Sequence, residues 1–386
     1  MTALLIENGV LFAPKPLPVG WQILIEGSRI KAIGPNLVVP EGVERLDARG
    51  SWVVPGFVDT HIHGGREFDA MDGSAEALRA ISRHLASHGV TSWLPTTVAC
   101  SAEHLERCLE AIAQVRREGS GGAEILGAHL ESNFLSPKYR GAQPLEYLRE
   151  IGDPELMDVL RRHASVIRIV TLAPELTGAE DFIRELVERG ITVSVGHTDA
   201  TYEQVIAALG AGSSRITHLC NAQRGFHHRE PGTLGAGLVC DRLFTEVIAD
   251  LEHVHPAGIQ MAYRCKGPQR LILVSDALRG TGLAPGDYEL GGQLTRLDGK
   301  VARLQDGTIA GSIITLERAV FNLVETLGIP FAEAIEMAGK TPAASLGLPK
   351  GQLLPGMTAD LVLIGSAYEV RLTIVAGEVV HSRMED

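Results

Sequence analysis

The sequence is short of cysteine, of positive charge and of long apolar runs, and each shortage closes a class of readings. Five cysteines (Cys100, Cys108, Cys220, Cys240, Cys265), odd in number and without a C-x-x-C pair, suggest neither a disulfide framework nor a cysteine zinc site. Reduced, mostly buried thiols are expected. A net charge of -12 leaves no basic face for nucleic acid or an anionic membrane, so an anionic substrate has to meet a local basic cluster. No apolar stretch approaches the roughly 20 residues that a membrane-spanning helix needs. The opening MTALLIENGV also lacks the basic start and apolar middle of a signal peptide, which makes the cytoplasm the expected location. What is present is a globular composition, 45% hydrophobic and 21% charged over 386 residues, enough for one large domain and a smaller one.

The two ends share a texture. Residues 2–53 read as short strands, ALLIENGVLF, WQILIEGSRIKAIG with a turn at Glu26, Gly27 and Ser28, and VERLDARG. Residues 351–386 read GQLLPGMTADLVLIG and EVRLTIVAGEVV, again β-like. Neither end has strands enough to bury a sheet face, so they are expected to pair as one small β-sandwich domain, 1–53 with 351–386.

Between them, residues 54–350 alternate short apolar runs with amphipathic helical stretches, the pattern of a parallel sheet with crossover helices. The runs are GFVDTHIH, VTSWLPTT, EILGAHLE, VIRIVTLAPE, ITVSVGH, RITHL, TEVIAD and LILVSD. Helices are expected over SAEALRAISRHLASHG, SAEHLERCLEAIAQVRREG, TGAEDFIRELVERG and TYEQVIAALGAG, the last two with Thr177/Glu180 and Thr201/Gln204 at capping-box spacing. Eight such units predict an α/β fold, a closed (β/α)8 TIM barrel, followed by two helices, SIITLERAVFNLVETLG and PFAEAIEMAGKTPAASLG. An open doubly wound sheet is the runner-up, and it lacks its usual G-x-G-x-x-G turn here.

In such a barrel, chemistry sits at the carboxyl ends of the strands. Those ends carry His61 and His63 on the first run, Glu131 on the third, His197 on the fifth, His218 on the sixth and Asp276 on the eighth. On an extended strand residues i and i+2 share a side, so His61 and His63 face one point. A lone H-x-H is a weak signal, and a single strand-end His or Asp is most often a hydrogen-bonded bystander. Four histidines and two carboxylates, spread over five of the eight strand ends, point to a divalent metal site.

These residues resemble the amidohydrolase superfamily. More narrowly, HLES at Glu131, SVGHTDAT at His197, THLCNA at His218, REPG from Arg229 to Gly232, LVSDA at Asp276 and TIAGS from Thr308 to Ser312 resemble the N-acetylglucosamine-6-phosphate deacetylase family. The likeness spans most of the chain, and REPG with the Glu131 motif is its specific part. It implies hydrolysis of the N-acetyl group of N-acetylglucosamine 6-phosphate to glucosamine 6-phosphate and acetate.

The resemblance also distributes roles. Glu131, His197 and His218 hold a divalent metal, zinc first, with iron, cobalt, nickel or manganese as alternatives. His61 and His63 hold a second metal that Glu131 bridges, giving one or two ions per subunit. Asp276 is the general base and acid. Arg229 binds the sugar phosphate, reaching into a neighbouring subunit of a homodimer, while Gln143, Asn221, the backbone of Ala222, His253 and Ile309 line the substrate pocket. By itself, the cluster NAQRGFHHREPG around Arg229 reads most simply as a solvated loop, yet it follows His218 directly and a guanidinium suits a phosphate. Two departures stand out. Gln143 sits where many members carry a His thought to polarise the acetyl carbonyl, and Ser132-Asn133 replaces the more usual Gly-Pro. LGGQLTRLDG with residues 301–306 reads as a hairpin near the site entrance.

Other readings are weaker. Cyclic amidases bridge their metals with a carbamylated Lys on the fourth strand, and VIRIVTLAPE contains no Lys. A nucleobase deaminase gives no reason for the Arg loop, and a catalytically dead scaffold is expected to have lost ligands.

Overall fold

The computed structural model describes residues 3–13 and 15–384, so the expected β start at Thr2 lies outside the described residues. All eight apolar runs become parallel strands of one sheet: Phe57–Ile62, Val90–Thr97, Ala128–Glu131, Ile167–Leu172, Thr192–Val195, Arg215–Ile216, Phe244–Ile248 and Leu271–Val274. Each pairs with the next in chain order. The ring is drawn together where the Asp276 N–H donates to the His61 carbonyl at 2.9 Å and the Ser275 N–H to Asp59 Oδ1 at 3.4 Å. Every residue of the first two strands is buried, as a sheet covered on both faces requires. The third run is interrupted, with Glu124–Ile125 forming a separate short strand. Gly127 at the break has φ 148° and lies so close to its neighbour that a Cβ would sit 2.5 Å from the Val166 carbonyl oxygen.

The connecting helices form where the caps are. Ser74 and Ser101 accept from the first turns of Ala75–Ala86 and Ala102–Glu118, and Thr201 with Gln204 closes the expected capping box of Tyr202–Ala211. The box expected at Thr177 and Glu180 does not form. That helix, Ala179–Glu188, starts after Gly178 at φ 81° with no side-chain cap, leaving Thr177 in the preceding turn. Of the two closing helices, Leu316–Leu327 is continuous, but the second is split into Phe331–Ala338 and Lys340–Ser345. Pro342 has no N–H to return to the Ala338 carbonyl, so the ladder cannot run unbroken through Gly339.

The chain ends supply two further sheets. One runs, in spatial order, Arg29–Pro35, Trp21–Glu26, Ala3–Glu7, Glu44–Asp47; the other runs Val10–Leu11, Trp52–Pro55, Leu361–Ile364, Val370–Val375, Glu378–Ser382. Ile6, Ile23, Ile25, Val53, Leu361 and Leu372 share one buried core between them, so this β-sandwich is built from both ends. Trp52–Pro55 straddles the expected boundary at 53/54.

The expected hairpin is larger than its sequence suggested. Gly286–Leu290, Gln293–Leu297, Val301–Leu304 and Ile309–Ser312 make a four-stranded antiparallel sheet. Its last strand hangs on the eighth barrel strand, because Ser312 donates its N–H to the Asp276 carbonyl and accepts from the Leu278 N–H. The expectation of mostly buried thiols also fails: Cys100 and Cys108 are buried, Cys240 is half-buried, and Cys220 and Cys265, on a loop and on the outside of a helix, are exposed. Among the described residues no helix is long and apolar enough to cross a membrane.

Candidate active site

The six strand-end residues meet. Oε1 of Glu131 lies 2.9 Å from Nε2 of His197 and 2.9 Å from Nε2 of His218, and those two nitrogens are 3.1 Å apart. Nε2 of His61 is 3.5 Å from the same oxygen, and Nε2 of His63 is 3.6 Å from Glu131 Oε2. Asp276 Oδ1 is 3.2 Å from His63 Nε2 and 3.5 Å from His61 Nε2. All six side chains are buried. His197, His218 and Asp276 turn into the centre with φ of 46°, 24° and 50°. For a residue with a Cβ such left-handed backbone costs about 1–3 kcal/mol, a strain that folds retain mainly at functional sites.

In three of the four rings the far side decides which nitrogen turns inward; Nδ1 of His218 has no hydrogen-bond partner among the described residues. Nδ1 of His63 faces the Thr96 carbonyl at 3.1 Å, Nδ1 of His197 the Tyr139 carbonyl at 3.1 Å, and Nδ1 of His61 the Glu246 carboxylate at 3.1 Å. These oxygens only accept, so Nδ1 carries a proton and Nε2 is the atom turned to the centre, where a metal would take its lone pair. His61 Nε2 has no hydrogen-bond partner among the described residues although it is fully buried. Two overlapping groups, His61/Glu131/His218 and His61/His63/Asp276, keep their ligand atoms within 4.8 Å of one another. Bare imidazole nitrogens and carboxylate oxygens, with no Lys or Arg between them, fit a divalent metal of zinc-like preference.

The charges agree. Burial pushes the Glu131 carboxyl up, but His197 and His61 beside it hold it well below the ordinary range. Asp276 is likewise lowered against its burial by His61 and His63. Burial lowers His63 and His218, but hydrogen bonding and charge from Asp276 and from Glu131 outweigh it and raise each to about 9. Without a cation, protons fill the role that a metal takes among these anions. A fifth histidine, His129, stays outside this set: both its nitrogens are taken, by the Thr60 carbonyl and the Thr171 hydroxyl, and burial lowers it to about 3.

Above the cluster lies a cavity of about 290 Å³. Gln143, Asn221, Ala222, His253 and Ile309 all line it, as does Leu290 from the inserted sheet. Gln143 is spoken for at both ends, donating from Nε2 to Glu131 Oε2 at 2.5 Å and accepting the Ala99 N–H at 2.8 Å. Ser132 and Asn133 settle the local backbone after Glu131. Asn133 Nδ2 donates to the carbonyls of Cys100 and Tyr147, and Ser132 Oγ to that of Thr171, bonds that a Gly-Pro pair cannot make. Arg229 is not brought into this cavity. It is exposed on the loop after His218, hydrogen-bonded to His228 Nε2 at 2.7 Å. The described residues that line the cavity include no Lys or Arg.

Sequence reasoning missed Glu246 and Arg215, which lie fully buried beneath the cluster. The signal was available: an acid inside TEVIAD and an Arg opening RITHL are polar residues within strands that a packed barrel buries.

The profile of the Amidohydrolase family matches residues 52–380. The chain belongs to the amidohydrolase family. An N-acetylglucosamine-6-phosphate deacetylase from Vibrio furnissii is 42% identical to this amidohydrolase over 330 residues, 85% of this chain and 82% of that one. An N-acetylgalactosamine-6-phosphate deacetylase from Escherichia coli O157:H7 is 38% identical over 93% of this chain and 95% of its own length. The solved structure of a mutant N-acetyl-D-glucosamine-6-phosphate deacetylase from Mycobacterium smegmatis, in complex with N-acetyl-D-glucosamine-6-phosphate, superposes with a TM-score of 0.89 at 33% identity, covering 98% of this chain and 99% of that one. These likenesses extend the match beyond the barrel to nearly the whole amidohydrolase chain, sandwich included.

Proposed function

We propose that the protein is a metal-dependent deacetylase that hydrolyses N-acetyl-D-glucosamine 6-phosphate to D-glucosamine 6-phosphate and acetate. The observation that carries this reading is the convergence of imidazole nitrogens on Glu131, with Asp276 against His61 and His63 beside it. Glu131, His197 and His218 would hold one divalent ion, zinc before iron, cobalt, nickel or manganese; His61 and His63 would join Glu131 in holding a second. Such an ion supplies Lewis acidity and a water acidified to a pKa of about 7.

The chain's own residues do the rest. Asp276, kept ionised by the imidazoles around it, accepts the proton of the attacking water and returns it to the departing nitrogen. That return is obligatory, since an unprotonated amine anion is a very poor leaving group. Gln143 has a second N–H beyond the one given to Glu131, and its oxygen is fixed on Ala99, so it meets the acyl group as a donor. Asn221, the backbone of Ala222, His253 and Ile309 enclose the sugar.

Among the described residues that line the cavity of one chain, no Lys or Arg is present to meet the phosphate. This supports a homodimer in which Arg229 of one subunit enters the other's site. Free thiols support a reducing compartment, the cytoplasm. The division 1–53, 54–350 and 351–386 is kept as the domain assignment. A second reading, N-acetylgalactosamine 6-phosphate as substrate, is favoured by the 38% identity to the E. coli relative over 93% of the chain. Acetate release from both phosphorylated sugars and from unphosphorylated N-acetylglucosamine tests all of this. Fast release from the first sugar supports the assignment, a faster rate with the galactose isomer transfers it, and equal rates with and without phosphate overturn the role of Arg229.

A further inference from the structure

Two charged side chains lie fully buried in the barrel beneath the cluster. Arg215, on the sixth strand, donates to Glu246 Oε1 on the seventh at 2.6 Å, to Thr60 Oγ1 at 2.8 Å and to Ser345 Oγ. A barrel interior is ordinarily filled by branched apolar residues. A buried ion pair gains little over a well-packed apolar pair of the same volume, because both charges lose their water. Its presence here therefore asks for a reason other than stability.

The second oxygen of Glu246 supplies one. Oε2 faces Nδ1 of His61 at 3.1 Å and accepts the backbone N–H of His218 at 3.1 Å. Arg215 is a permanent cation and Glu246 is the carboxylate it contacts, so Glu246 is an anion without a proton to give. The hydrogen between Glu246 and His61 must then sit on Nδ1, so that in the neutral ring the lone pair is on Nε2, which is aimed into the cluster. The same oxygen pins the peptide of His218, whose φ of 24° needs holding.

We propose that Glu246 is a positioning residue that fixes the tautomer of His61 and the seat of His218, with Arg215 clamping Glu246 from below. One carboxylate thereby serves both ligand groups, since His61 belongs to each and His218 to one. The proposal rests on the reading of His61 and His218 as metal ligands, and it assigns to Glu246 no contact with substrate.

The test uses the full zinc-loaded chain. Nitrogen-15 NMR of the histidine rings, with the His61 signal assigned by its loss in His61→Asn, should show an N–H at Nδ1 of His61 in the native protein; an N–H at Nε2 overturns the proposal without any change at Glu246. Glu246→Gln keeps the shape and removes the charge. It should stay folded and bind zinc roughly 10- to 100-fold more weakly in chelator competition, as loss of an outer partner of a metal ligand does. Cobalt substituted for zinc should show an altered visible spectrum in the same variant. If Glu246→Gln does not fold, Arg215→Lys keeps the cation but not the fork, and a smaller loss of zinc affinity is expected from it. Native zinc affinity in a folded variant refutes positioning. Zinc binding that His218→Asn leaves untouched refutes instead the ligand assignment beneath it.

Discussion

Gln143 donates to Glu131 across 2.5 Å, and it does so with an amide whose other end is fixed by the Ala99 N–H. The carboxylate is thus held with Oε1 turned to His197 and His218 and Oε2 to Gln143 and His63. A hydrogen bond to a charged group contributes about 1.5–3 kcal/mol, so Gln143→Ala should lower kcat/KM roughly 10- to 100-fold. Gln143→Glu places an acceptor against Glu131 and should cost metal content as well. Metal analysis beside steady-state kinetics separates the two, and a Glu variant with native metal content would contradict the orientation of the amide.

Asp276 Oδ1 lies against Nε2 of His61 and of His63, whereas His197 and His218 converge on Glu131. Asp276→Asn keeps the size and removes the carboxylate proposed as the base. Turnover should fall by roughly 10²- to 10⁴-fold, the usual contribution of a positioned proton-transfer group, while metal content stays at the native level. Acetate release and elemental analysis on the same sample check this. Turnover near the native level would assign the proton transfer elsewhere.

The sequence carried the barrel because its cause is local: eight apolar runs alternate with capped amphipathic helices, and each run became a strand. The six strand-end residues were legible for the same reason, since a closed barrel brings all strand ends to one rim. What escaped were features decided by neighbours distant in the chain. The amide of Gln143 is oriented by Ala99, 44 residues away, and Glu246 meets His61 across 185 residues. The inserted sheet outgrew its hairpin because its last strand is held by Asp276 and Leu278, which no turn signal announces. Arg229 was placed in a role by likeness, and the fold of a single chain leaves it outside the cavity.

His84 offers a pH test away from the cluster. It is 7% exposed, its ring 4.7 Å from that of His88, and burial first, then His88 and Arg66, lower it from 6.5 to about 3. The folded form therefore refuses a proton that the unfolded chain accepts below pH 6.5. Stability from this group is intact above that pH and falls as pH drops toward 3, by about 2 kcal/mol at pH 5. Buried Asp69, raised to about 6, works in the opposite direction, so the whole protein's profile mixes both. The difference between native protein and His84→Gln isolates the histidine. Denaturant unfolding at pH 7 and pH 5 should show a smaller loss in the variant, and parallel losses would place His84 in contact with solvent.

The empty basic complement of the cavity leads to a mixing experiment. Arg229→Ala protein should keep its metal but lose most activity on the phosphorylated sugar, with KM raised more than kcat is lowered, because phosphate binding precedes chemistry. Asp276→Asn protein should be inactive for a different reason. If Arg229 serves the site of a second copy, a mixed dimer of the two variants rebuilds one intact site, formed by Asp276 of the first variant and Arg229 of the second. Random reassortment in a two-fold dimer then restores roughly a quarter of native activity when the two inactive proteins are unfolded together and refolded. A site completed within one chain gives no recovery, because every cavity in the mixture then lacks either its acid or its arginine.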